Sequence, residues 1–181
     1  EAARRILSQP LTIAIPNSRE GDPGPWTYDV PVLANMIGVN VVDKGGNAEM
    51  QVGLNPTALR QTLTELKTFV DRQSKNARFV FNDATGLIEP ISASSVGRSM
   101  DVEASIVAIN DALARGEHTV ALSVAEQQPA VADTASGAEL GVTQLIQERT
   151  TYFYGSSDAR IQNIVAAAKQ YHGLLVAPGE T

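Results

Sequence analysis

Asn55-Pro56-Thr57-Ala58-Leu59-Arg60-Gln61-Thr62-Leu63-Thr64-Glu65-Leu66-Lys67-Thr68-Phe69-Val70 is the clearest structural signal in the chain. Asn55 suits an N-cap, because its side-chain oxygen can accept from the orphan N–H groups of a first turn. Pro56 suits the first helical position, where no N–H is needed. Leu59, Leu63, Leu66 and Val70 then recur at helical spacing and form one apolar stripe, which must be covered by a sheet or a second helix.

Upstream of this helix, Gly45-Gly46-Asn47 is a hairpin turn between the β-prone runs Val39–Val42 and Met50–Leu54. Pro31 opens a short helix through Met36. Trp26–Val30 and Leu11–Ile15 read as strands separated by a turn-rich loop, Pro16–Pro25, and Ala2–Leu7 reads as a last helical turn. Downstream, Arg78–Phe81 and Leu87–Ile91 form a second hairpin. Asp101 caps a second long helix with Val102, Ile106, Ile109 and Leu113 on one face and Gly116 as its stop, and His118–Val124 alternates as a strand. Gln127–Ala138 has the small, polar composition of a linker. The remainder carries a short apolar stretch at Leu140–Ile146 and a β-prone run at Thr150–Tyr154. A helix follows, capped by Ser156 or Ser157, with Ile161, Ile164, Val165, Ala168 and Tyr171 on its face, and then a strand at Leu174–Val176. The predicted class is α+β: antiparallel strands packed by two longer amphipathic helices, with a small C-terminal helix–strand unit. The expected divisions are 1–126, a linker at 127–138, and 139–181. Ala2–Ile15 and Ile106–Val124 share a helix-then-strand pattern, so residues 1–15 read as the tail of a preceding repeat. Both ends read as cuts through a longer protein.

Composition narrows the function. The 181 residues carry 14 basic and 20 acidic side chains, a net charge of -6. That balance disfavours nucleic acid and anionic surfaces, where affinity comes from Lys and Arg. The chain has no cysteine, which removes thiol nucleophiles, cysteine-ligated zinc and disulfides. No apolar run approaches the length of a membrane span, so no membrane contact is expected from this segment. No Gly-x-Ser-x-Gly or Ser-x-x-Lys motif occurs, and Thr64-Glu65-Leu66-Lys67 lies inside the amphipathic helix. His118 and His172 have no metal-ligand spacing and read as structural. A non-catalytic chain without cofactor or metal is expected.

Two groups of residues could bind a ligand. Trp26 and Tyr28 lie two apart on a strand and share a face, so they could stack on sugar rings or, equally in keeping with their chemistry, pack in a core. Tyr152 and Tyr154 share a face in the same way. Ser156, Arg160 and Asn163, with Ser157, surround a helix N-terminus that could hold a carboxylate, although ordinary capping also explains the serines.

Asn76-Ala77-Arg78-Phe79-Val80-Phe81, Gly97-Arg98-Ser99-Met100-Asp101-Val102-Glu103 and Thr119-Val120-Ala121-Leu122-Ser123-Val124 resemble the peptidoglycan-binding domain found ahead of VanW domains, a relative of which precedes some L,D-transpeptidase domains. Thr150-Thr151-Tyr152-Phe153-Tyr154-Gly155-Ser156-Ser157, Arg160-Ile161-Gln162-Asn163-Ile164 and Pro178-Gly179-Glu180-Thr181 resemble the opening of the VanW domain itself. The resemblance implies a module that binds or positions peptidoglycan or a muropeptide beside a VanW domain. It implies an extracytoplasmic, cell-wall-associated protein, membrane-tethered by a segment upstream. A ligand-free spacer and an incomplete part of a wall-modifying enzyme are the alternatives. The unit from about Gly141 is too small to stand alone. It is expected to dock through Ile161, Ile164, Val165 and Ala168 or to exchange with a second copy.

Overall fold

The computed structural model describes residues 1–180, and of residues 42–44 the backbone only; Thr181, the end of the Pro178–Thr181 motif, lies outside the described residues. In chain order the elements are α1 (Ala2–Ile6), β1 (Leu11–Ala14), β2 (Trp26–Tyr28), α2 (Val30–Met36), β3 (Ile37–Lys44), β4 (Asn47–Leu54), α3 (Pro56–Val70), β5 (Arg78–Asn82), β6 (Leu87–Ser92), β7 (Gly97–Met100), α4 (Val102–Arg115), β8 (Thr119–Ala121), β9 (Val124–Gln127), α5 (Gly137–Leu140) and α6 (Asp158–Tyr171). The class is α+β, as the patterning predicts. These elements form two compact units, 1–73 with 97–127, and 74–96 with 128–181.

The first unit holds the main core. Asn55 caps α3 by accepting from Thr57 N at 2.8 Å and Ala58 N at 3.3 Å. The stripe Leu59, Leu63, Leu66 and Val70 is buried throughout. It meets Ile106, Ile109 and Leu113 of α4, together with Leu11, Ile13 and Val120 of the sheet. Asp101 caps α4 through Ala104 N at 2.9 Å, and Gly116 ends it in the left-handed region at φ 85, where an L side chain would be strained.

The three-stranded sheet runs β2-β1-β8. β1 pairs antiparallel with β2 (Ile13 opposite Trp26) and parallel with β8 (Ile13 opposite Val120), so one pairing departs from the expected all-antiparallel arrangement. The strand expected over His118–Val124 is split. Ser123 N instead donates to the buried Ser105 hydroxyl at 3.0 Å, and the chain restarts as β9, antiparallel to β7. His118 is buried, with its ring nitrogens 3.1 Å from the carbonyl oxygens of Gly116 and Ile6, which is the structural role expected of it.

Loop 16–25 is pinned to this unit by Asp22. Its carboxylate lies 2.7 Å from Arg98 Nη1 and 3.0 Å from Arg72 Nη1, and accepts from Arg19 N at 2.7 Å. The side chains of Asp22 and Arg98 are 3% and 1% exposed. Among the described residues, Arg98 Nε and Nη2 are buried without a hydrogen-bond partner, although Glu126 Oε1 stands 3.9 Å from Nε. Burial raises the Asp22 carboxyl. The Arg19 N–H, then the hydrogen bond and charge of Arg98, then the charge of Arg72 outweigh it and hold the group below its ordinary value.

The second unit is built on the β5–β6 hairpin, whose turn is fixed by Asn82 Oδ1 accepting from Ala84 N at 3.0 Å. The segment read as a linker is bonded here. Ala77 N donates to Val131 O at 2.9 Å, Val131 N to Asn76 Oδ1 at 3.2 Å, and Ser94 N to Asp133 Oδ1 at 2.5 Å. Side-chain and main-chain partners flanking the hairpin thus order a stretch whose composition alone reads as flexible. Residues 150–154 and 174–176 form no strand. α6 buries none of its residues: Ile161 and Ile164 are half-buried, Val165 and Ala168 exposed. Polar ties hold its C-terminal end within this unit. Arg78 Nη1 donates to the carbonyls of Lys169 and His172, and Phe79 N donates to Gly173 O.

Candidate functional site

A concavity of the first unit lies between the β3–β4 hairpin and α4. In an antiparallel pair, directly opposed residues share a face. Ile37 with Leu54, Val39 with Val52 and Val41 with Met50 therefore make one apolar face, while Gly38 with Gly53 and Asn40 with Gln51 make the other. Gly53 lets two amides close in. A Cβ there would stand 2.5 Å from Asn110 Oδ1 and 2.9 Å from Asn40 Nδ2. Asn110, on α4, accepts from Leu54 N at 2.7 Å and donates to Leu54 O at 3.2 Å, and Asn40 Nδ2 also donates to Leu54 O, at 3.0 Å. Both amides are thereby fixed in orientation before any ligand arrives.

Around this clamp is a groove of about 390 Å³. The amides of Asn40, Gln51 and Asn110 line it, with Val41 and Val107 as apolar walls and Glu103 and Asp111 as carboxylates. Val41 and Val107 are 69% and 60% exposed. Glu103 is held in a two-pronged fork by Arg60, with contacts of 2.5 and 2.8 Å, and the hydrogen bonds of that fork keep its carboxyl below the ordinary value. Among the described residues, no Lys or Arg lines the groove. Among the described residues, no group of three or more His, Cys, Asp or Glu is placed to hold a metal ion, and no helix is long and apolar enough to cross a membrane.

The residues singled out from sequence fall elsewhere. Trp26 and Tyr28 share a face of β2, as expected, but that face is half-buried and packs against the core cluster. Burial, then the charge of Glu65, raises the Tyr28 hydroxyl. Tyr152 and Tyr154 do come together, with ring centroids 5.7 Å apart and planes 9° from parallel. They are 74% and 90% exposed, on irregular backbone in place of the expected strand. Ser157 takes the N-cap position of α6 without a side-chain cap hydrogen bond, Ser156 precedes it, and Arg160 and Asn163 are exposed on the helix. Trp26 and Tyr28 belong to the first unit and the other five to the second. Sequence patterning does not single out the groove residues. The one available signal was Gly53, a glycine inside a strand-patterned run, which often marks a close approach.

Fold and groove together define an α+β module with a concave, amide-lined face on its hairpin side. Residues 32–121, from α2 to β8, match the model of the family described as "Putative peptidoglycan binding domain". Every groove residue named above lies inside that span. The chain is also similar to a crystal structure of an Enterococcus faecium L,D-transpeptidase carrying a cysteine-to-serine substitution, at 16% identity and a TM-score of 0.41, covering 73% of this chain and 46% of that one. The Ldtfm-avibactam carbamoyl enzyme matches at 16% identity and a TM-score of 0.40, with the same coverage. The chain thus spans a little under half the length of the solved structures it matches. No curated protein matches it.

Proposed function

We propose that this chain is a non-catalytic cell-wall module whose groove between the β3–β4 hairpin and α4 binds peptidoglycan. The observation that carries this reading is the groove's content within the matched span: pre-set amides beside solvent-facing valines, the mix that recognises a glycan or short peptide. A net charge of -6 fits recognition by short-range polar and apolar contacts better than bulk attraction to an anionic polymer. The motifs at Thr150–Ser157 and Arg160–Ile164 support a VanW domain following this module, and that pairing supports an extracytoplasmic protein tethered upstream.

The test is co-sedimentation of the chain with isolated sacculi across a salt series, with Val107→Trp as the groove-filling variant. Val107 is solvent-facing, so this variant should keep its unfolding midpoint while losing sedimentation. Absence of binding by the unaltered chain at low and moderate salt would leave a ligand-free spacer as the better account.

A further inference from the structure

We infer that the groove recognises the peptide stems of the wall through a free primary amine, the side-chain ammonium of a diamino acid. This rests on the wall-binding reading and specifies which part of the polymer the site reads. The argument is charge accounting within one cavity. Of the two carboxylates lining the groove, Glu103 is already neutralised by the Arg60 fork. Asp111, an exposed residue of α4 beyond Asn110, forms no ion pair within 4.0 Å among the described residues. Among the described residues the groove is lined by no cation, so it presents one negative charge without a bonded counter-ion next to oriented amides. The neighbouring Arg115 feels the charge of Asp111 but offsets it only in part, because its guanidinium is forked onto Glu117 at 2.9 Å through both prongs.

A neutral sugar could donate a hydroxyl to that carboxylate but would leave its charge unbalanced, and a carboxylate would be repelled by it. An ammonium group is matched. The same residues then divide the work. Asn40 and Asn110, held on the Leu54 backbone, offer their remaining amide valences to the peptide groups of a stem. Val107 covers its methylene or methyl groups, and Asp111 receives the ammonium.

Three probes decide it: intact sacculi, sacculi whose free amines have been acetylated, and glycan strands stripped of their peptides. The unaltered chain should sediment with intact sacculi and several-fold less with acetylated sacculi or stripped strands. Asp111→Asn should weaken binding to intact sacculi by about threefold to fivefold at low salt, the range of a solvent-facing charge pair. The same variant should bind acetylated sacculi as the unaltered chain does. Asp83→Asn, which changes the net charge equally in the β5–β6 turn, should behave as the unaltered chain throughout. Equal binding to intact and acetylated sacculi, or an Asp111→Asn variant indistinguishable on intact sacculi, overturns the inference and leaves wall binding standing. Failure of the unaltered chain to bind any of the three probes removes both.

Discussion

Asp22→Ala should destabilise the first unit by about 3 kcal/mol. The Asp22 carboxylate is the partner of a guanidinium whose side chain is 1% exposed, and it bridges that group to Arg72. Deleting it leaves the Arg98 charge in place without its counter-ion, and removal of one partner from a buried pair costs about 3–5 kcal/mol. The lower end applies because Glu126 Oε1, 3.9 Å from Arg98 Nε, supplies residual compensation and Arg72 can turn to water. Loop 16–25 would also lose its anchor, since Arg19 N donates to the same carboxylate. Trp26, the chain's one tryptophan, lies in β2 shortly after this loop, so its fluorescence reports the first unit. With a urea slope of about 1–3 kcal/mol per M, the midpoint should fall by about 1–3 M. Asp22→Ala combined with Arg98→Met removes both charges and should recover most of the loss, because no buried ion is then left unpaired. A single variant whose midpoint moves by less than about 0.3 M at unchanged slope would refute the reasoning, because 0.3 M is under about 1 kcal/mol.

Leu63, 0% exposed at the centre of the α3 stripe, should cost about 2–5 kcal/mol when truncated to Ala, read by the same Trp26 urea titration. The carboxyls of Asp22 and Asp71 are both held below their ordinary value of 3.8; for Asp71, burial raises the group but the hydrogen bonds from Lys67 and Met100 N prevail. Depressed carboxyls contribute stability above the unfolded value, so the first unit should lose stability as pH falls below about 3.8, and Asp22→Asn should flatten that acid limb in a fluorescence titration. Gly53→Ala would drive a methyl against Asn110 Oδ1 and Asn40 Nδ2 and open the clamp on Leu54. The expected loss is about 1–3 kcal/mol for backbone groups left unsatisfied, seen as a lower melting temperature together with weaker sedimentation on sacculi.

Local signals carried the main elements. Asn55, Pro56 and the four-residue apolar stripe specify α3, and Asp101 with Gly116 bounds α4, because caps and helical periodicity act within a few residues of chain. Where the sequence misled, the deciding partner lies far along the chain. Thr12–Ala14 pairs with Thr119–Ala121 across most of the first unit, and no local pattern announces a parallel partner. The run Gln127–Ala138 looks like a linker because its residues are small and polar, yet Asn76 and Ser94 give it hydrogen bonds that composition does not encode. Thr150–Tyr154 shows the reverse: β-propensity expresses itself only against a neighbouring strand, and none pairs with it here.

The candidate site was less legible than the fold for the same reason, taken further. Sequence favours aromatics as binding residues, but Trp26 and Tyr28 serve the core because β2 is an edge strand whose one face lies on α3 and its neighbours. The groove depends instead on Asn40 and Asn110, which read as unremarkable polar positions in a hairpin arm and a helix. They become a pair because both bond the Leu54 backbone, with Leu54 and Asn110 56 positions apart, and because Gly53 has no side chain to keep them apart. Asp111 gains meaning only from its surroundings, since Glu103 is paired with Arg60 and Arg115, which feels the Asp111 charge, spends its hydrogen bonds on Glu117. A lone carboxylate in a helix is a solvated charge until the fold removes its counter-ions and places it at the edge of a cavity. A recognition site made of amides and one unpaired charge, with its parts on β3, β4 and α4, therefore leaves almost no trace in the linear order of residues.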